Sequence, residues 1–345
     1  MRELPLPEHF DPGKVGEVYR VSYQERARQA VQFRETHRIL PAASDRRSVG
    51  LLLVDLQNTF SVPGFELFVA GRSGRGAVED AVRLSEFLYR NLGSITRIHA
   101  TMDTHSAFQI FHPAFLLDQE GRSPAPMTAI RLEDVEAGRF RVNPEAAGAL
   151  ESGDAAFLDR HLLHYCRLLS RDGKYRLMVW PYHAILGGIG HALVPAVEEA
   201  VFFHTIARES QASFELKGAS PLTENYSVLR PEVLEDEDGN EIAPRNDALL
   251  EKLLSYDALV VAGQAKSHCV SWTVSDLLEE IRRRDPGLAG KVYLLEDCMS
   301  SVVVPEIADF TEDAERAFRE FAASGMHRVR ASDPMDTWPG FPGGV

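Results

Sequence analysis

The chain holds only three cysteines in 345 residues, Cys166, Cys269 and Cys298, and no two of them form a C-x-x-C pair. That spacing excludes a disulfide framework and the usual thiolate zinc site, and a reducing compartment fits best. Basic residues are also in deficit, with 37 Lys and Arg against 51 Asp and Glu, a formal charge of −14. A surface of that sign disfavours nucleic acid or anionic membrane as the main partner. No uninterrupted apolar run is long enough to span a bilayer, and the opening stretch MRELPLPEHFDPGKVGEVYR lacks the apolar segment of a signal peptide. A soluble, cytoplasmic protein is therefore expected.

What is present centres on Cys269. The apolar run Ala258 to Ala262 is followed by small and polar residues, and from Val270 to Ile281 apolar residues return at helical spacing. This is the pattern of a strand, a tight turn and a helix, with Cys269 opening the helix. Unpaired N–H groups and the positive end of the helix dipole favour a thiolate there. The plainer alternative is a small buried residue packing a helix start.

Along the chain, residues 1 to 45 are polar, with an amphipathic helix expected over Ser22 to His37, and read as an extension packed on the main fold. Ser48 to Asp55 (SVGLLLVD) is nearly all apolar, as in a parallel strand buried on both faces. Asp55 would stand at its carboxyl end, where ligands bind in open α/β sheets, although a strand-terminal Asp also serves as a turn residue. Gly71 to Gly76 (GRSGRG) lacks phosphate-loop spacing and reads as a flexible loop. A helix from Ala77 to Asn91 and a strand from Ile95 to Met102 follow. Asp103 and His105 are two apart, so in extended backbone they face the same side, as two ligands of one cation or as a hydrogen-bonded pair.

Residues 114 to 175 have a weak pattern, with one helix near Ala155 to Leu169, and read as a semi-structured insertion over the site. His183 follows Trp-Pro-Tyr; with Asp103 and His105 it would complete a two-His, one-carboxylate set suited to Zn, Fe or Mn. The strand Ala212 to Leu216 ends at Lys217, a surface lysine or one partly desolvated near the thiol. Glu235 to Glu241 (EDEDGNE) is a solvated turn and not a calcium loop. Strands at Ala258 to Gly263, Lys291 to Glu296 and His327 to Arg330, with a helix at Thr311 to Ala323, complete about six strands with helices between them. The order predicts an α/β fold, a three-layer α/β/α sandwich on a mainly parallel, doubly wound sheet, spanning residues 46 to 345.

Taken together, five blocks resemble the nicotinamidase and pyrazinamidase branch of the isochorismatase-like cysteine hydrolases: VDLQNTF from Val54, MDTH around Asp103, WPYHAILGG from Trp180, LKG at Lys217 and GQAKSHCV ending at Val270. The resemblance implies a catalytic triad of Asp55, Lys217 and Cys269. It further implies one divalent metal ion, zinc in first place with iron or manganese as alternatives, on Asp103, His105 and His183. An oxyanion hole from the N–H groups of Ala265 and Cys269, a non-proline cis peptide before Ala265, and an aromatic pocket of Phe60, Trp180 and Tyr226 are implied as well. The activity implied is hydrolysis of nicotinamide, or a close heteroaromatic amide, to the acid and ammonia through a thioester, a step of NAD salvage. The alternative on the same scaffold is a ureido, carbamoyl or other aliphatic amide. SAFQIFHPAF replaces the usual histidine-rich loop, and His112 within it is expected to pack the loop. AILGGIG after His183 also departs from the pattern, which puts the pocket's shape in question. Cys166 and Cys298 fall outside every block and read as buried structural thiols. A small-molecule amide and a homo-oligomeric state are the expected partners.

Overall fold

The computed structural model describes residues 3–150, 154–171 and 175–342. At its centre is a six-stranded, mainly parallel sheet flanked by helices. The strands are β1 (Val49–Val54), β2 (Arg97–Asp103), β3 (Ser213–Lys217), β4 (Ala258–Gly263), β5 (Val292–Leu295) and β6 (His327–Val329), in the order β6-β5-β4-β1-β2-β3. The pairs β1–β2, β1–β4, β4–β5 and β5–β6 are all parallel. Every residue of β1 and β4 is buried, which is why their sequences are continuous apolar runs without alternation. At the sheet edge, β3 alternates instead and leaves Phe214 and Leu216 exposed.

The chain divides into two compact units. The first comprises 1–102, 192–215 and 247–345. Its helix α1 (Tyr23–His37) forms as a helix but buries only Ala30 and is not the amphipathic helix expected, whereas α2 (Gly76–Arg90), α4 (Pro195–Arg208), α5 (Ser271–Arg284) and α6 (Thr311–Ala323) present apolar faces to the core, as Ala77, Ala81, Leu84 and Leu88 do from α2. The N-terminal stretch is tied to α4 by ion pairs of Arg26 with Glu199 and Arg34 with Glu209. Arg208 is 1% exposed and holds Asp45 through two contacts of 2.5 and 2.6 Å. Burying that cation is tolerable because the carboxylate answers it.

The second unit comprises 103–191 and 216–246. It contains α3 (Ala155–Arg171), whose buried face is Leu158, Leu162, Tyr165, Cys166 and Leu169. Two short antiparallel pairs accompany it, Leu116–Asp118 with Phe140–Val142 and Ala129–Ile130 with Leu177–Met178. Strands of two or three residues are too brief for a period-two signal, so only the helix of this segment is visible in the sequence. Among the described residues no helix is long and apolar enough to cross a membrane.

Two expectations follow. Gly263 has φ +130°, and a Cβ built there would lie 2.1 Å from the Val54 carbonyl oxygen. Gly263→Ala should lower stability by about 2 kcal/mol or more, read as a fall in the urea midpoint. Burial pushes the imidazole pKa of His99, His204 and His268 from 6.5 down to about 4. The unfolded chain therefore takes up protons that the folded chain refuses between those values, so stability is full above pH 6.5 and declines toward pH 4. The calorimetric Tm should be lower at pH 5 than at pH 7 at constant ionic strength.

Candidate functional site

In the first unit the two central strands end side by side. Val54 is in register with Gly263, and the N–H of Gln264 donates to the Val54 carbonyl at 2.8 Å. The next residue on β1, Asp55, is fully buried with φ +46°. Its N–H donates to Thr101 Oγ1 at 3.0 Å, and that hydroxyl donates back to Asp55 Oδ1, so β2 fixes the carboxyl in both respects. After β4 the Gln264–Ala265 peptide is cis, as the resemblance implies. A π-helical turn, Lys266–Val270, then carries Cys269 ahead of α5. Cys269 thus sits in a widened turn and not on the first residue of the α-helix. The Ala265 carbonyl accepts from the N–H groups of His268 and Val270, and Ser271 Oγ donates to the Lys266 carbonyl. Cys269 is 8% exposed. Phe60 packs in a small cluster with Val69, Ala77 and Ala265, against the start of this turn.

In the second unit Asp103, His105 and His183 bring one ligand atom each within 4.8 Å of one another, all three buried. Asp103 Oδ2 lies 2.8 Å from His105 Nε2 and 3.4 Å from His183 Nε2. Its other oxygen accepts from Lys217 Nζ at 2.9 Å, and the same ammonium donates to the Asn225 carbonyl at 2.8 Å. Burial alone would raise the Asp103 pKa, but His105 and Lys217 outweigh it and hold the carboxyl well below the usual range. Gly218, with φ +84°, is required beside Lys217, because a Cβ there would meet His105 Cε1 at 2.7 Å.

The donor chemistry of this cluster fits a divalent ion. His183 Nδ1 is 2.8 Å from the Pro181 carbonyl, and His105 Nδ1 is 3.4 Å from that of Gly218. A carbonyl can only accept, so His183 Nδ1 is a donor to Pro181, and in both rings Nε2 is the nitrogen turned toward Asp103, where an ion shared with the carboxylate would be held. His112 follows the same rule, with Nδ1 3.0 Å from the Ser106 carbonyl. Its Nε2 is buried with no hydrogen-bond partner, and the ring centroid lies 5.6 Å from that of His183. Burial, then His183 and His105, push its pKa down to about 3, so the ring is neutral. Loop packing accounts for its position but leaves that nitrogen unanswered.

Trp180 and Tyr226 also meet here, Trp180 Nε1 donating to the Tyr226 hydroxyl at 3.1 Å. Glu224 gave no sequence signal. It is 5% exposed, and burial followed by Asp103 pushes its pKa up to about 8. Its Oε1 accepts from the Asn225 N–H, so Glu224, Asn225 and Lys217 form one chain leading to Asp103. A lone Glu in an aperiodic loop has nothing to mark it, whereas the Lys217-Gly218 pair is a usable sign of a crowded strand end.

No protein-family model matches the sequence, and neither does a curated sequence. Among solved structures the chain is similar to a nicotinamidase/pyrazinamidase of Acinetobacter baumanii, with 18% identity and a TM-score of 0.49 over 84% of this chain and 99% of that one. It is similar to the yeast nicotinamidase, at 18% identity and TM-score 0.49 over 81% and 99%. A Pyrococcus horikoshii pyrazinamidase in complex with zinc gives 17% identity and TM-score 0.44 over 82% and 99%. The likeness is one of chain path, and residue roles rest on the geometry above.

Replacing His105 or His183 by Ala should weaken divalent-ion binding by about tenfold or more. Calorimetric titration with Zn²⁺ and metal analysis of the purified variants check this.

Proposed function

We propose that the protein is a metal-containing cysteine amidohydrolase that converts nicotinamide, or a close heteroaromatic amide, to the acid and ammonia. The observation that carries this reading is the buried Asp103, His105 and His183 cluster with Lys217 bonded to its carboxylate. A structural Lys–Asp ion pair needs no two buried imidazoles with a nitrogen each turned to the same carboxylate oxygen. The buried carboxyl of Asp55 and the thiol of Cys269, each just beyond a central strand, supply the groups for acyl transfer.

In this reading Asp55 takes the proton from Cys269, and the sulfur bonds to the amide carbon. The oxygen of the tetrahedral intermediate is met by the N–H groups of Ala265 and Cys269. Asp55 returns the proton to the nitrogen, the C–N bond breaks and ammonia leaves. Water, deprotonated by Asp55, then cleaves the thioester to release the acid and restore the thiol. Lys217 contributes the positive charge that keeps the Asp103 carboxylate ionised. Asp103, His105 and His183 would hold the divalent ion, zinc in first place, and when bound that ion supplies a Lewis-acidic anchor for a ring nitrogen. Phe60, Trp180 and Tyr226 offer flat apolar faces to a flat ring. The three free thiols fit a cytoplasmic setting.

Ammonia release from nicotinamide should be measurable with the purified protein and should fall by about 10³-fold or more in Cys269→Ala, and it should be lost after chelator treatment. Activity retained in Cys269→Ala would overturn the thiol mechanism. No release from a metal-loaded wild-type protein would overturn nicotinamide as the substrate.

A further inference from the structure

Beneath the thiol-bearing turn lies a buried carboxyl that the proposed reaction does not use. Asp80, on α2, is 2% exposed. Its Oδ2 accepts from Gln264 Nε2 at 2.8 Å and its Oδ1 from Arg83 Nη2 at 2.8 Å, and the Ser300 hydroxyl bonds to it as well. Gln264 is fully buried, and its Oε1 accepts from the Ser300 N–H at 3.3 Å. The Ser300 carbonyl in turn accepts from the Lys266 N–H at 2.8 Å. Gln264 and Lys266 flank Ala265, so Ser300 grips the turn on both sides of that residue. One residue on, Ser267 Oγ accepts from the Val302 N–H at 3.0 Å.

An independent feature shows how closely Ser300 is seated. A Cβ at Gly76, on the first turn of α2, would fall 2.4 Å from Ser300 Oγ and 3.0 Å from the Ala70 carbonyl oxygen. A side chain is forgone at 76 to admit the serine.

We propose that Asp80 is a positioning residue for the nucleophile: through the Gln264 amide and Ser300 it fixes the orientation of the Ala265 to Cys269 turn, and so the presentation of the thiol. The inference rests on the proposed function only in taking Cys269 as the reacting group. The donor and acceptor count makes it specific. Gln264 offers its NH₂ to Asp80 and its oxygen to Ser300 N–H, so it has one correct orientation only while Asp80 is an acceptor. In Asp80→Asn a donor is set against a donor at Gln264, at Arg83 or at the Ser300 N–H, whichever way either amide turns. Adding Gln264→Glu restores every pairing with the roles reversed, at the same net charge and nearly the same volume.

The test compares wild type, Asp80→Asn, and Asp80→Asn with Gln264→Glu, by the rate of iodoacetamide alkylation at Cys269, followed by peptide mass spectrometry with buried Cys166 and Cys298 as internal references. In parallel, kcat and KM for the amide are measured. The single variant should alkylate about tenfold more slowly and lose kcat about tenfold with KM within about twofold, and the paired variant should recover most of both. An unchanged alkylation rate in the single variant would overturn the proposal. So would a paired variant that folds or reacts no better than the single one, since the loss would then come from the missing charge and not from the Gln264 bond. Alkylation needs no substrate, so a wild-type protein inactive on nicotinamide would remove that substrate while the alkylation ratio still decides the role of Asp80.

Discussion

The closeness of two backbones at the end of β1 and β4 is the constraint on which the thiol-bearing unit depends. Val54 and Gly263 approach so tightly that no side chain fits between them, and Gln264 continues the ladder by one more bond to the Val54 carbonyl. That bond brings the two strands to an end at the same level. Asp55 leaves one of them in a left-handed conformation and the cysteine turn leaves the other. Groups placed on neighbouring strand ends of a buried parallel sheet inherit the rigidity of the sheet, which a loop of the same length would not provide.

In the second unit the organising quantity is charge. Asp103 is buried among one ammonium and two imidazoles, and each of its oxygens is engaged. A lone carboxylate at that depth would take up a proton. The ammonium of Lys217 answers one Asp103 oxygen, and the rings that face the other are turned by backbone carbonyls of Pro181 and Gly218. The histidine geometry is therefore set by the main chain and does not wait on a ligand.

Much of this was legible in the sequence, and the reason is visible element by element. The runs at Val49–Val54 and Ala258–Gly263 are buried on both faces and so read as unbroken apolar strings. The helix at Thr311–Ala323 was legible to the residue because Ala314, Phe318 and Phe321 recur at helical spacing. Asp103 and His105 could be paired from their spacing alone. What the sequence withheld depends on long-range placement: Lys217 Nζ bonding to Asp103, Glu224 buried beside Asn225, and Asp80 reaching Gln264 across 184 positions. A polar residue on a mostly apolar helix looks solvent-facing until the partner that buries it is known. The π-helical turn before α5 was equally invisible, since one extra residue in a turn leaves the apolar spacing of the helix that follows unchanged.

The clasp of Gly76, Asp80, Gln264 and Ser300 carries a consequence for how this sequence can drift. An aliphatic side chain at 264 would take one donor from the buried carboxyl at 80, and a side chain at 76 would collide with Ser300, whose main chain holds both sides of Ala265. An exchange at 76 or 264 therefore disturbs the other members of the set. They form a unit of inheritance, to be kept whole or replaced together, even though three short segments far apart in the chain supply them.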